Sequence, residues 1–388
     1  MKGVVSFLET ASGRRWAYGA AGIMALLPRL WMVDFESGDY KGFLSPWYDY
    51  LLEHGRWAAL GHDFSNYYVP YLAFLSLATH LPLPKLYAIK LISILFDYVA
   101  AWLIGRLVWH RYQNHSLALA GFGAVLFYPT VVMNSALWGQ CDVIYTSALL
   151  AVFLGVLKQR PWAALAAFGL AVAFKPQAVF LVPFLGGLFL KGLLPWRLLW
   201  VPLAVYAACG LPAILAGKPV LDVLGHWLWQ ENLPYLTAGA VNIYQWLPAE
   251  PHALLAWLGI GLAVAAGLLL AVSMSRREEV GGDDQGMSAA ALISVLAMPF
   301  FLPGMHERYF FPADIFALVY AFYAPRHWFV AVWVSAASAL SYMPYLFDTE
   351  PVPRPLLAAI MAVALGVVVR DYIKNWTRQE AVMAMQGA

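Results

Sequence analysis

Apolar residues fall along this chain in long blocks, not in the two-residue alternation of half-buried strands or the one-sided stripes of soluble helices. The blocks lie at 16–33, 86–108, 117–133, 142–157, 161–174, 176–190, 197–216, 251–274, 288–303, 309–324, 327–346 and 355–372. Many approach the roughly 20 residues with which a helix crosses about 30 Å of hydrocarbon. A bilayer admits only backbone whose polar groups are paired internally, so each block predicts a helix. The expected fold class is an all-α polytopic membrane protein with about twelve transmembrane helices, forming a single membrane-embedded domain over residues 1–388. Composition agrees: 62% of residues are hydrophobic and 12% charged, about half the charged share of a soluble domain. The first block follows Arg14 and Arg15 without a small-residue cleavage pattern after it, so it reads as a retained helix and not a removed signal. Cys141 and Cys209 are too few and too far apart for a disulfide framework or a metal site. A net charge of +2 gives no reason to expect a nucleic-acid partner.

Charge placement orients the blocks. Twelve passes put both termini on one side, and the loops there carry Lys2, Arg14, Arg15, Arg106, Arg111, Lys158, Arg160, Lys191, Arg197, Arg276, Arg277, Arg326, Arg370, Lys374 and Arg378, fifteen of the 24 basic residues. That side is expected to be cytoplasmic, in a bacterial inner (plasma) membrane. The first outer loop, 34–84, is acidic, with Asp34, Glu36, Asp39, Asp49, Glu53 and Asp63. Within it, Val69 to Leu83 reads as an amphipathic element at the outer interface, because a further pass there would put Arg106 and Arg111 outside. A second long outer loop, 217–250, carries Trp227, Trp229, Tyr235, Tyr244 and Trp246, suited to lying on the membrane or covering a cavity. The cytoplasmic linker 275–287 is polar, with Glu278, Glu279, Asp283 and Asp284.

Four polar clusters fall on the outer side: Ser37-Gly38-Asp39-Tyr40, Trp138-Gly139-Gln140-Cys141-Asp142, Phe174-Lys175-Pro176-Gln177 and Met305-His306-Glu307-Arg308-Tyr309. Ionisable groups at membrane depth are costly and mark function by default. The blocks beside Lys175 and His306 are short, so their turns should sit below the surface, where irregular backbone survives only in protein or beside a wet cavity. A basic pocket of Lys175, His306 and Arg308, roofed by the first outer loop, would suit a departing phosphate. Asp39 would be the general base for an acceptor hydroxyl. Tyr40, Asp63, Gln140, Asp142, Gln177 and Glu307 are supporting or substrate-binding candidates. Plainer roles stand beside these. Asp34 and Asp63 compete with Asp39, Lys175 can snorkel, Asp142 with Gln140 can cap a helix, and Glu307 can pair with Arg308 or Lys175. Asp97 and Asp314 can be buried hydrogen-bonding residues, and Arg29 is a further phosphate candidate.

The stretches GDYKGFLSPWYDYLLEHG and GHDFSNYYVPYLAFLSL, followed by LWGQCDVIY, FKPQAVFLVPF and FLPGMHERYFFP, together resemble the GT-C glycosyltransferases. They are most similar to the dolichyl-phosphate-glucose glucosyltransferases of N-glycan assembly and to bacterial proteins grouped with the GPI second mannosyltransferase. The resemblance spans about Asp34 to Pro312. It implies inverting, metal-independent transfer of a glucose- or mannose-type hexose from a polyprenyl-phosphate donor to a lipid-linked or cell-envelope glycan acceptor, with membrane lipids around it and no cofactor. Asp39 would be the base, and Lys175, His306 and Arg308 would hold the donor phosphate. Arg308 stands where those glucosyltransferases tend to have lysine, and Val69-Pro70 replaces their double proline. The competing functions are a transporter or flippase of lipid-linked sugars, which should show repeat symmetry, and a GT-C ligase using a diphosphate donor, which could recruit a metal through Asp39 and Asp142.

Overall fold

The computed structural model of the chain describes residues 8–228, 235–277 and 283–386, with side chains through 375. The helices that matter below are α1 (Ala11–Met24), α2 (Leu26–Met32), α3 (Ser45–Glu53), α4 (Val69–Ala78), α5 (Lys85–Tyr112), α6 (His115–Leu126), α7 (Asp142–Leu157), α8 (Pro161–Phe174), α9 (Val182–Leu190), α10 (Trp200–Leu215), α11 (His252–Arg276), α12 (Asp284–Phe301), α13 (Phe311–Tyr323), α14 (Trp328–Phe347) and α15 (Arg354–Gln386). Among the described residues the chain is all-α apart from one two-stranded contact, and it is membrane-embedded by the length and apolarity of its helices. It forms two compact units, Met1–Ala178 with Arg197–Asn232, and Val179–Trp196 with Leu233–Ala388.

Six helical segments among the described residues are long and apolar enough to span a bilayer: Lys85–Tyr112, Trp196–Leu215, His252–Arg276, Asp284–Phe301, Pro325–Phe347 and Arg354–Asn375. A bent pair, His115–Leu126 with Pro129–Trp138, makes a seventh if counted as one span. The expected twelve is not reached by length, and proline explains much of the shortfall. Pro28 in α2 has no N–H for the carbonyl four residues back, and the first block divides at Ala25. Pro129 follows the end of α6, and the two halves of that pair meet at 47°. Lys175 precedes Pro176 and is extended (φ −151°, ψ 138°), as a residue before proline prefers, so α8 stops after 14 residues.

In the first unit, α5 and α6 form a hairpin turned at Gln113 (φ 49°), with Asn114 Oδ1 accepting from the Leu117 N–H at 3.1 Å to cap α6. Close approach requires Gly121, where a Cβ would lie 2.9 Å from Val108 Cγ2. The α7–α8 hairpin is as tight, since a Cβ on Gly155 would meet the Ala164 nitrogen at 3.0 Å. Helix α4 exists where an amphipathic surface element was expected, but it is not amphipathic. Val69, Tyr71, Leu72, Leu75, Ser76 and Ala78 are buried, and the exposed Leu77 is itself apolar. It packs on α5, α8 and α10.

In the second unit, α12 is buried along most of its length and packs on α11, α13 and α15. Thr237–Ala238 pairs in parallel with Met305–His306. The buried Asp371 carboxylate gathers α13, α15 and the turn before α14, accepting from Tyr320 Oη at 2.7 Å and from Arg326. The aromatic set of the 217–250 loop is anchored in protein: Trp227 Nε1 donates to the Val172 carbonyl (3.1 Å) in the first unit, and the buried Tyr244 hydroxyl to the Phe301 carbonyl (3.0 Å) in the second. Trp229, Glu278 and Glu279 lie outside the described residues.

Candidate functional site

The first unit gathers three of the four polar clusters. After α2, the chain is held by Lys90, a fully buried lysine of α5 whose Nζ donates to the Val33 (2.8 Å) and Phe35 (2.6 Å) carbonyls. Carbonyls at a helix C-terminus lack partners within the helix and carry partial negative charge, so an ammonium is well placed there. Ser37 Oγ then donates to the Trp138 carbonyl (2.7 Å) and accepts from the Tyr40 N–H (3.1 Å), which fixes the turn bearing Asp39. Tyr40 is buried and opens a π-helical turn, Tyr40–Leu44.

Opposite this turn, Met133–Trp138 is a second π-helical turn, and it ends at Gly139 in the left-handed region (φ 81°). A Cβ on Gly139 would be 3.6 Å from its nearest neighbour, so conformation, not space, calls for glycine. The reversal lets the Gln140 N–H reach the Asn134 carbonyl at 2.8 Å and aims the Trp138 and Gln140 side chains at Asp39. Asp39, 8% exposed, accepts at Oδ2 from Trp138 Nε1 at 2.8 Å and from Gln140 Nε2. Two donors on one carboxylate oxygen fix its plane.

The network continues through Gln140. Its Oε1 accepts from the Tyr67 hydroxyl (3.2 Å) and more loosely from Lys175 Nζ (3.4 Å). Lys175, at the break between α8 and Pro176, pairs with Asp142 Oδ1 at 2.6 Å; both are buried. Asp142 begins α7 but does not cap it, because its other oxygen accepts from Asn134 Nδ2 at 2.8 Å. The Lys175 ammonium also stands 5.3 Å from the Tyr67 ring centre, within cation–π range. Asp39, Gln140, Asp142 and Lys175 therefore share one buried array of side-chain hydrogen bonds.

Other candidates lie apart from that array. Asp63 is exposed and pairs with Lys218 at 2.6 Å. Gln177 follows Lys175 by two residues, with its Oε1 buried and without a hydrogen-bond partner. Arg29 is not open to a phosphate. It is 1% exposed, its Nε donates to Asp97 Oδ2 at 2.9 Å, and its Nη1 donates to the Ala25 and Leu126 carbonyls. Ser135 Oγ donates to the same Asp97 oxygen at 2.6 Å, which ties this ion pair to the π-helical turn behind Trp138.

No family model matches this chain, and no curated protein matches it.

His306, Glu307 and Arg308 belong to the second unit, where the pairing of Met305–His306 with Thr237–Ala238 sets their backbone. Glu307 is buried, and Arg308 Nη1 lies 3.9 Å from its Oε1. Gly239 (φ 85°) passes so close that a Cβ would come within 2.7 Å of Glu307 Oε2. The His306 ring meets Tyr309 edge-on at 5.2 Å. Among the described residues no group of three or more His, Cys, Asp and Glu side chains could hold a metal ion.

Lys90, Asn134 and Tyr67 are the members that the sequence reading passed over. Lys90 carried a usable signal, being a charged residue inside an apolar block, and so did Asn134, a polar residue just past the end of another. Tyr67 carried none, because a tyrosine in an outer loop is unremarkable until its partners are known.

Proposed function

We propose that the chain is a membrane glycosyltransferase of the GT-C type. It moves a glucose- or mannose-type hexose from a polyprenyl-phosphate donor to a lipid-linked or cell-envelope glycan acceptor, with inversion. The supporting observation is that a buried carboxylate, Asp39, and a buried ammonium, Lys175, meet through a single glutamine, Gln140. In this reading Asp39 takes the proton of the acceptor hydroxyl while its oxygen attacks the anomeric carbon. The bond from that carbon to the phosphate oxygen breaks on the opposite face, and polyprenyl phosphate leaves. Trp138 and Gln140 orient the base, and Lys175 supplies positive charge to the departing phosphate, as electrostatic stabilisation requires. The resemblance also assigns phosphate contacts to His306 and Arg308, and their own substitutions test that assignment separately.

The same proposal includes a bacterial inner membrane, cytoplasmic termini, an extracytoplasmic site and twelve passes. Twelve passes require the broken or shorter segments over 16–33, 117–133, 142–157, 161–174, 176–190 and 309–324 to cross as well. With 16 and 14 residues, α7 and α8 reach about 24 and 21 Å, so both would need locally thin bilayer or a recessed end.

The test is turnover by purified protein in lipid nanodiscs, given polyprenyl-phosphate glucose or mannose and acceptor lipids extracted from cells lacking the protein. Asp39→Asn should lower turnover by about 10²- to 10⁴-fold, the usual worth of a general base, with the unfolding midpoint unchanged. Lys175→Met should weaken donor use. Wild-type turnover in Asp39→Asn would refute the reading, and sugar-lipid translocation without glycosidic bond formation would favour a flippase.

A further inference from the structure

We propose that the end of the first unit remote from Asp39 binds the phosphate headgroup of an anionic phospholipid, held by Arg106, Lys158 and Arg160. Helix direction places the three residues. Helix α7 leaves the polar array at Asp142 and reaches Lys158 after 16 residues, about 24 Å away. Helix α8 returns from Arg160 and arrives at Lys175. Helix α5 starts near Lys90, which holds the Asp39 turn, and has Arg106 in its distal quarter. All three cations therefore lie about one bilayer leaf-to-leaf distance from the candidate site, where headgroups begin.

They are also unneutralised. The sequence has no Asp or Glu from residue 98 to 141 or from 143 to 221. None of the three has a carboxylate partner among the described residues. Helix α5 packs on α7, and α7 on α8, the second contact so tight that a Cβ on Gly155 would lie 3.0 Å from the Ala164 nitrogen. The turn between α7 and α8 puts Gln159 in the left-handed region (φ 54°), with the Arg160 N–H bonded to the Gly155 carbonyl at 2.8 Å, so two cations flank one compact reversal. Burial, then the charges of Arg106 and Arg160, hold the Lys158 ammonium below its ordinary pKa. A phosphate relieves that repulsion with charge-assisted hydrogen bonds. Arg106 and Arg160 are exposed and able to reach it. Just beyond Arg160, Trp162 and Trp200, each 53% exposed, meet edge-on at 5.2 Å, an aromatic pair of the kind that lies at headgroup level.

The test is native mass spectrometry of the full chain in a neutral detergent, titrated with phosphatidylglycerol or phosphatidylcholine. Wild-type protein should retain phosphatidylglycerol in preference to phosphatidylcholine. The triple variant Arg106→Gln/Lys158→Gln/Arg160→Gln should bind it roughly a hundredfold more weakly, from the contribution of each basic residue near a headgroup. A control of equal charge loss, Arg276→Gln/Arg370→Gln/Lys374→Gln, should keep the lipid. Equal retention by the triple variant, equal loss by the control, equal binding of phosphatidylcholine, or displacement by millimolar inorganic phosphate would each overturn the proposal. If the triple variant does not fold, Arg160→Gln alone decides: about a fivefold loss supports the site and no loss rejects it.

Discussion

The Arg29–Asp97 pair offers the sharpest energetic test, because both side chains are essentially without solvent (1% and 0% exposed) and the charges are 2.8 Å apart. At that separation, with an effective dielectric constant near 20, the attraction is about 6 kcal/mol. Removing two ions from water costs several kcal/mol each, so the intact pair contributes little net stability. Breaking it is different. Asp97→Ala strands a buried guanidinium and takes the acceptor from Ser135 Oγ, 2.6 Å away, and should destabilise by about 3–5 kcal/mol. Arg29→Met/Asp97→Leu removes both charges at similar volume and should recover most of that loss. The assay is equilibrium unfolding in mixed micelles of the wild type, Arg29→Met, Asp97→Leu and the double variant, read as a double-mutant cycle, with Asp97→Ala measured beside them. A loss below about 1 kcal/mol for Asp97→Ala, or strictly additive singles, would refute the claim that this pair anchors the turn behind Trp138.

Three further outcomes follow from backbone and loop geometry. Gly139→Ala has space but must adopt φ 81°, so it should cost about 1–2 kcal/mol in the same unfolding assay, and Gly139→Asn should cost less because asparagine tolerates that region. Gly239→Ala meets the same penalty plus Glu307 Oε2 within 2.7 Å, so its loss should exceed that of Gly139→Ala. His226, whose Nε2 lies 3.1 Å from the Asn66 carbonyl, is held below the ordinary 6.5 mainly by burial, with Lys218 adding to the effect and the Asn66 and Asp63 contacts opposing it. The unfolded chain then binds the proton more readily, so stability is full above pH 6.5 and falls as the pH drops below it; His226→Phe should flatten that part of a stability-versus-pH curve.

The class of fold was legible because a bilayer leaves so few choices. Blocks such as 251–274 and 355–372 needed only length and apolarity, and the helices are there as His252–Arg276 and Arg354–Asn375. Where the reading went astray, local backbone chemistry decided. Apolarity reports what a segment can be surrounded by, while proline decides whether its helix continues, as at Pro28 and Pro129. The segment at 69–83 failed for a different reason. The charges of Arg106 and Arg111 argued for an amphipathic element there, but α4 itself buries most of its side chains against α5, α8 and α10. Neighbours in space settled its environment, and no window of sequence contains them.

For the site, the informative quantity was cost. Two carboxylates, an ammonium and an amide set into apolar surroundings must each find partners or be destabilising, and so Asp39, Gln140, Asp142 and Lys175 found one another. The same reasoning, applied without exception, would have exposed the rest. Lys90 lies in an apolar block with no carboxylate within a helical turn, so its proton donors had to be taken up by main-chain carbonyls, and they are those of Val33 and Phe35. Asn134 and Ser135 lie between two blocks, and their partners are Asp142 and Asp97. Arg29 and Asp97, each unpaired along the sequence, had to pair across it. Arg29, Lys90, Asp97 and Asp142 thus lead either to the turn carrying Asp39 or to the π-helical turn facing it. A fold that needed these groups only for packing could have replaced them with leucine at lower cost, and their gathering around the turn carrying Asp39 and the turn facing it is the physical reason to look for chemistry there.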